Sequence, residues 1–427
     1  MKLMQKIKKF FKIVGPGVIT GAADDDPSGI ATYTQAGARF GYSQLWTIIF
    51  ILPLITAVQE ACARIGAVTG RGIAATIKKY YSKKVLFSAV ILILIANIIN
   101  IGANIGAMAE ATRLVIPLNF SVLALFFTAL ILILEIFLSY KVYAKVLKWC
   151  ALSLIAYPIT VFLIKHPWWE LLKATFIPHF EFSFGFLFII VAVLGTTISP
   201  YMFFWQASEE VEEEKSHHIF NHGQPKLSEK FMSNLRLDNF LGMLFSQVAA
   251  WCIIVVAGTV LHENGIINIE TAADAARALE PLVDTFPNAG LWAKVIFAFG
   301  IVGLGLLSVP VLSASASYAV SEAFNWKEGL NLKFKKAHGF YGVITAATVI
   351  GLMINYIGIN PIKALVFTAV INGLVSVPLL FLINRIASDQ KIMGKYKSGR
   401  LSQFFLWLAF IIMLLSSVAM FIALRQG

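Results

Sequence analysis

The chain has 427 residues, 58% of them hydrophobic and only 14% charged, with a formal net charge of +12. Soluble domains carry roughly 45–50% apolar and 25% charged residues, so water is not the main solvent here. Apolar runs of the roughly 20 residues needed to cross a bilayer recur along almost the whole sequence, which leaves no room for a soluble catalytic domain and makes the basic surplus topological rather than a sign of a nucleic-acid partner.

The stretch from Met1 to Lys12 is basic and amphipathic, and no small-residue cleavage site follows it, so the chain is expected to begin in the cytoplasm. Apolar windows predict helices over 13–40, 45–69, 85–113, 119–139, 145–165, 183–208, 233–261, 289–323, 338–357, 361–385 and 402–424. With the N-terminus inside, the cytoplasmic segments hold 26 of the 35 basic residues. The external segments hold eight, from Arg39 to Arg425. That asymmetry follows the positive-inside rule and supports eleven spans, N-in and C-out, in the plasma membrane. Trp168 and Trp169 read as interfacial anchors. Cys62, Cys150 and Cys252 lie in or beside apolar runs without a CxxC pair, so they read as free packing residues.

The segment Ser208 to Leu227 contains EEVEEEKSHHIFNHG. The spacing of His217, His218 and His222 beside Glu209 to Glu214 fits no closed metal site, so this insert is expected to be a solvated cytoplasmic loop. It separates two blocks of five helices, 13–165 and 183–385, with 402–424 as an extra helix. An odd number of spans per block inverts the second relative to the first, as in inverted-repeat transporters. Outside, Ile269 to Leu279 reads as a short surface helix.

The first apolar run is interrupted by GAADDDPSG. Pro27 removes a backbone donor and disfavours the α conformation at Asp26, while Ser28 and Gly29 extend the break. Irregular backbone at membrane depth survives only where it lines a cavity or is buried in protein. A charge near the bilayer centre costs about 2.5 to 3.5 kcal/mol, so a cation is the natural partner of Asp26. A solvated helix end at the interface is the bland alternative, and it leaves too few apolar residues on either side of the break to span. The corresponding place in the second block is GTTISPY, where Ser199, Pro200 and Tyr201 interrupt the sixth run. Matching breaks mark a binding site, at which the carbonyls of Ala23 and Thr196 and the Asp26 carboxylate offer hard oxygen ligands. Pro200 alone would equally read as an ordinary kink.

The run GPG…DDDPSGIATYTQAGARFGYSQLW resembles the first helix of the Nramp family of metal transporters, whose hallmark there is Asp-Pro-Gly-Asn. QEACARIGAVTG from Gln59 resembles the end of the family's second helix, and GTTISPY its sixth-helix Met-Pro-His region. The resemblance covers essentially the whole chain. It implies an all-α integral membrane protein of the LeuT type, a five-plus-five inverted repeat with one extra helix. It places the family's metal-binding Asp on Asp26 and its carbonyl ligands on Ala23 and Thr196.

Three positions depart from the family pattern. The ligand Asn becomes Gly29, the thioether ligand becomes Ser199, and the adjacent His becomes Tyr201. Losing a thioether removes discrimination against hard cations, and shorter side chains are expected to enlarge the site to suit a largely hydrated Mg²⁺. The implied cargo is therefore Mg²⁺, with Mn²⁺ also carried, and no cofactor. Glu110 is a second candidate, reaching an outer-shell water of the ion, against the alternative of an i+3 pair with Arg113. Glu60 and Arg64 are spaced to pair structurally.

Proton-coupled relatives carry acids on the third helix and arginines on the ninth, whereas this chain has Asn104 and no Arg or His between Gly339 and Tyr356. Uncoupled, potential-driven transport by alternating access is expected. Two charges crossing 100 mV release about 4.6 kcal/mol, roughly a thousandfold accumulation. The rivals are a proton-coupled Mn²⁺/Fe²⁺ symporter, a sodium-coupled amino-acid carrier and an intramembrane Mg²⁺-dependent enzyme. The last needs a second aspartate-rich motif, and Asp238, Asp274, Asp284 and Asp389 are isolated.

Overall fold

Asp26 has extended backbone angles (φ −67°, ψ 171°), and its side chain accepts from the Gly29 N–H, the geometry of an N-cap. Pro27 at the first helical position fits there because its missing N–H would have no intrahelical partner. The sequence that breaks one helix therefore starts the next, α1 (Pro27–Phe40). Residues 20–21 and 23–24 on the other side of the break are also helical. The computed structural model describes residues 20–21, 23–137, 154–216, 220–221, 224–225 and 227–426.

After α1 come α2 (Leu45–Thr69), the short α3 (Ile73–Tyr80), α4 (Lys83–Arg113), α5 (Phe120–Phe137), α6 (Ala156–Leu163) and α7 (Trp168–Phe176). The second half holds α8 (Phe184–Thr197), α9 (Pro200–Ser216), α10 (Glu229–Ala257), α11 (Ala272–Arg277), α12 (Ala289–Phe324), α13 (His338–Ile354), α14 (Pro361–Ser388), α15 (Gln390–Met393) and α16 (Arg400–Gln426). Two-residue strands, Phe220–Asn221 and Gln224–Pro225, pair between α9 and α10. Ser82, Ser183, Ser228 and Asn360 cap α4, α8, α10 and α14 by accepting first-turn N–H groups. Gly70, in the left-handed region at φ 61°, ends α2. A π turn, Gly258–His262, extends α10.

Among the described residues nine helical segments are long and apolar enough to cross a membrane. They match nine of the expected windows closely. The other two are the interrupted first run, which begins outside the described residues, and 145–165, of which only the part from residue 154 is described. Phe162 and Leu415, 80% and 60% exposed, point away from the protein, where lipid rather than water is the solvent. The short helix expected within Ile269 to Leu279 appears as α11, with a capping box between Thr271 and Asp274.

Small residues set the helices around the breaks at backbone contact. A Cβ added at Gly21 would clash with the Gly242 carbonyl of α10, one at Gly195 with the Ala369 carbonyl of α14, and one at Gly66 with the Ala207 carbonyl of α9. Without a hydrophobic drive between helices in lipid, this close packing is what holds them.

Two expectations change. Residues 209–214 are not a solvated loop but the last turns of α9, with Glu209, Glu210, Glu212 and Glu214 buried. For Glu212, donors from distant segments make this tolerable. It accepts from the Tyr318 hydroxyl, from the Leu330 N–H at 2.8 Å and from Asn331 Nδ2 at 2.7 Å. His217, His218 and His222 lie outside the described residues, as does Cys150, while Cys62 and Cys252 are buried free thiols. The second change concerns Glu110. Its carboxylate pairs with Arg113 at 2.9 Å and stays 28% exposed, so the i+3 pairing is the one formed.

Candidate functional site

The second break is only two residues long. Ile198 leaves the helical region (φ −97°, ψ 60°), and α9 restarts at Pro200. Its freed carbonyls are met by hydroxyls from neighbouring helices. Ser376 of α14 donates to Ile198 O at 2.6 Å, and Ser315 of α12 donates to Tyr201 O at 2.7 Å. Ser199 turns back to donate to Gly195 O at 2.6 Å and Thr196 O at 2.9 Å, and its single proton cannot fully serve both.

The two breaks are joined directly. The Tyr201 hydroxyl donates to the Ala23 carbonyl at 2.8 Å, Tyr33 and Thr197 share a hydrogen bond of 2.8 Å, and Ser28 lies 3.4 Å from the Thr196 hydroxyl. On the α9 side, Thr20 donates to Gln206. Of the expected residues, Ala23, Asp26, Gly29, Thr196, Ser199 and Tyr201 thus gather at one junction. Glu110 does not. It lies six residues beyond Asn104 on α4, about 9 Å along the axis and roughly 120° away around it.

Asp26 is 1% exposed. Its Oδ1 accepts from Ser28 Oγ at 2.5 Å and Gly29 N at 2.9 Å, and its Oδ2 accepts from Asn104 Nδ2 at 3.1 Å. Asp24 and Asp25 are fully buried beside it and share one donor, Ser246 of α10, at 2.6 and 3.2 Å. One hydroxyl proton cannot satisfy two carboxylates. The remaining oxygens, Asp24 Oδ1 and Asp25 Oδ2, have no hydrogen-bond partner among the described residues. Carboxylates in such surroundings are costly to keep charged without a cation. Among the described residues, no three His, Cys, Asp or Glu side chains converge as a preformed metal cage, so carbonyls, hydroxyls or water must complete the coordination of any ion held here.

Gly29 does not leave the void expected of the shorter side chain. A Cβ there would already sit 3.3 Å from Thr196 Oγ1 and 3.5 Å from Asp24 O, because the helices close up around the missing group. Asn104 and Ser246 were not among the expected site residues. Asn104 carried a signal, since Asn97, Asn100 and Asn104 form a polar stripe at helical spacing on an apolar helix. Ser246 carried none.

The sequence profile described as natural resistance-associated macrophage protein-like matches residues 17–423. The divalent metal cation transporter MntH of Caldanaerobacter subterraneus subsp. tengcongensis is 24% identical, over 98% of this chain and 95% of its own. The protein of the same name from Klebsiella pneumoniae strain 342 is 26% identical, over 91% and 88%. Among solved structures, the Eremococcus coleocola manganese transporter in complex with an aromatic bis-isothiourea compound superposes with a TM-score of 0.72 at 17% identity, covering 96% of this chain and 86% of its own. MhsT in complex with L-phenylalanine gives 0.60 at 13% identity, over 95% and 98%. These likenesses show the LeuT-type fold.

Proposed function

Starting from the chain's membership of the Nramp family, which is a family of metal-ion transporters and not of enzymes, we propose that this protein carries Mg²⁺, and also Mn²⁺, across the plasma membrane. The ion is held between the two breaks by the Asp26 carboxylate and the carbonyls of Ala23 and Thr196, with Gly29, Ser199 and Tyr201 shaping the junction and water completing the shell. The framework is eleven spans, N-in and C-out, with repeats 13–165 and 183–385 and an extra helix 402–424.

The observation that carries this reading is the chemistry of the junction. Its hydrogen-bonding groups are carboxylate, carbonyl, hydroxyl and amide, with Ser199 and Tyr201 standing where relatives of the same pattern place a thioether and an imidazole. Hard oxygen donors suit Mg²⁺ and Mn²⁺, and no soft ligand selects against Mg²⁺. Uncoupled transport rests on Asn104, a residue that does not titrate, lying against Asp26.

The relatives are named as a divalent metal cation transporter and a manganese transporter, which favours Mn²⁺ as cargo, and the second reading is a proton-coupled Mn²⁺/Fe²⁺ symporter. Uptake of Mg²⁺ and Mn²⁺ into proteoliposomes, with a pH dye in the lumen, distinguishes the two. The proposal expects uptake of both ions, no acidification of the lumen, and loss of both fluxes in Asp26→Ala. Mn²⁺ uptake with acidification and without Mg²⁺ flux would establish the rival.

A further inference from the structure

A groove of about 790 Å³ opens between α2, α10 and the start of α16, at the end of the helices where the basic connecting segments lie. Its charged lining consists of Glu60, Arg64, Arg236, Lys397 and Arg400. Glu60 and Arg64 neutralise each other through two contacts, Nε to Oε1 at 2.9 Å and Nη2 to Oε2 at 3.0 Å. Arg64 also donates to Tyr396 O at 2.6 Å and Ser398 Oγ at 2.9 Å. It therefore fixes the segment that presents Lys397 and Arg400.

Three positive charges remain. Arg236 makes one long contact with Glu60, 3.4 Å from Nε to Oε1, and its side chain is 64% exposed. Among the described residues, Lys397 and Arg400 form no ion pair. Gly399, Arg400, Leu401 and Ser402 also line the groove, so the N-terminal turn of α16, the positive end of its dipole, lies beside it. The Thr56 hydroxyl on the α2 wall has no hydrogen-bond partner among the described residues.

Beyond the charges the wall is apolar, formed by Leu52, Pro53, Phe240, Leu401 and Phe405. Phe240 and Leu401 are 41% and 70% exposed, as expected of side chains that face acyl chains. A free anion would use the basic end and leave this wall uncovered. A molecule with an anionic phosphate joined to a long apolar tail covers both.

We propose that this groove binds one anionic phospholipid, with its phosphate at Arg236, Lys397 and Arg400 and an acyl chain along the apolar wall. Basic pockets between transmembrane helices are suited to such headgroups, each basic residue strengthening the attraction severalfold. The site lies apart from the ion junction, and the lipid bridges three helices that are not consecutive in the chain.

The test is native mass spectrometry and thermal unfolding of the delipidated full chain, titrated with phosphatidylglycerol or phosphatidylcholine. One phosphatidylglycerol is expected to bind roughly a hundredfold tighter than phosphatidylcholine and to raise the unfolding temperature. The variant Arg236→Gln/Lys397→Gln/Arg400→Gln, altered only at groove residues away from the junction, is expected to lose that preference while keeping its thermal response to Mg²⁺. Equal binding of the two lipids by the wild type overturns the proposal whether or not the variant folds. So does a folded variant that retains the preference. Inorganic phosphate that reproduces the thermal shift and displaces the lipid would make this a soluble-anion site and overturn it too.

Discussion

Asn104 Nδ2 donates to Asp26 Oδ2 at 3.1 Å, so a neutral amide of α4 rests on the carboxylate that caps α1. A carboxylate in its place would face Asp26 at hydrogen-bond distance and lose the donor. Asn104→Asp is expected to destabilise the ion-free protein by about 1–3 kcal/mol, and Mg²⁺ or Mn²⁺ between the two carboxylates is expected to restore most of that loss. Thermal unfolding with and without each ion checks it. Equal stability of variant and wild type in the absence of metal would show that the Asn104 contact contributes nothing.

Tyr201 offers a test of the carbonyl ligand. Its hydroxyl is the partner that Ala23 O has in the structure, and the residue is 1% exposed, so water does not readily replace it. Tyr201→Phe leaves that carbonyl short of a donor in the ion-free state, at a cost of about 1–3 kcal/mol. An ion coordinated by the carbonyl supplies the missing partner. The variant should therefore be less stable without metal and bind Mg²⁺ about tenfold more tightly in calorimetric titration. Weaker binding would mean that the hydroxyl itself, not the carbonyl behind it, holds the ion.

The difference between what could and could not be read from the sequence follows from range. Helix positions were legible because run length and hydropathy are local, and both breaks were legible because Asp26-Pro27 and Ser199-Pro200 are incompatible with continuous helix. Partners were not. Asp24 and Asp25 meet Ser246 across more than 200 residues of chain, and nothing near either end announces the contact. Glu212, within the acidic run, read as solvated because its donors, Tyr318, Leu330 and Asn331, lie more than 100 residues away. For Glu110 the local alternative was itself legible, since Arg113 three residues on lies on the same helix face and takes its carboxylate at 2.9 Å.

Close packing at the second break makes a paired prediction. Gly195 lies against the backbone of Ala369 and Gly373, where the nearest atoms belong to main chain and cannot move aside. Gly195→Ala should force α8 from α14 and lower stability by about 1–3 kcal/mol. Gly342 on α13 has nothing within 4 Å of an added Cβ, so Gly342→Ala should be neutral or stabilising by up to about 1 kcal/mol through helix propensity. Thermal unfolding of the two variants side by side separates packing from propensity. A Gly195→Ala protein as stable as the wild type would refute the contact.

The last prediction concerns Glu328, in the connection after α12 and outside the spanning helices. Burial pushes its carboxyl up to about 9, with Glu322 and Glu212 adding to the rise and Lys215 opposing it. Among the described residues one of its oxygens has no hydrogen-bond partner, as suits a group that stays neutral. In the unfolded chain a glutamate loses its proton near pH 4.3. Between those limits the folded state binds the proton more tightly than the unfolded one. Its contribution to stability is therefore complete below about pH 4 and lost progressively as the pH rises towards 9. Glu328→Gln keeps a neutral side chain of similar shape at every pH and removes this loss. The unfolding temperature of the variant relative to wild type should climb steadily from pH 5 to pH 9, measured by thermal unfolding in a pH series. A constant difference across that range would show that Glu328 titrates alike in both states.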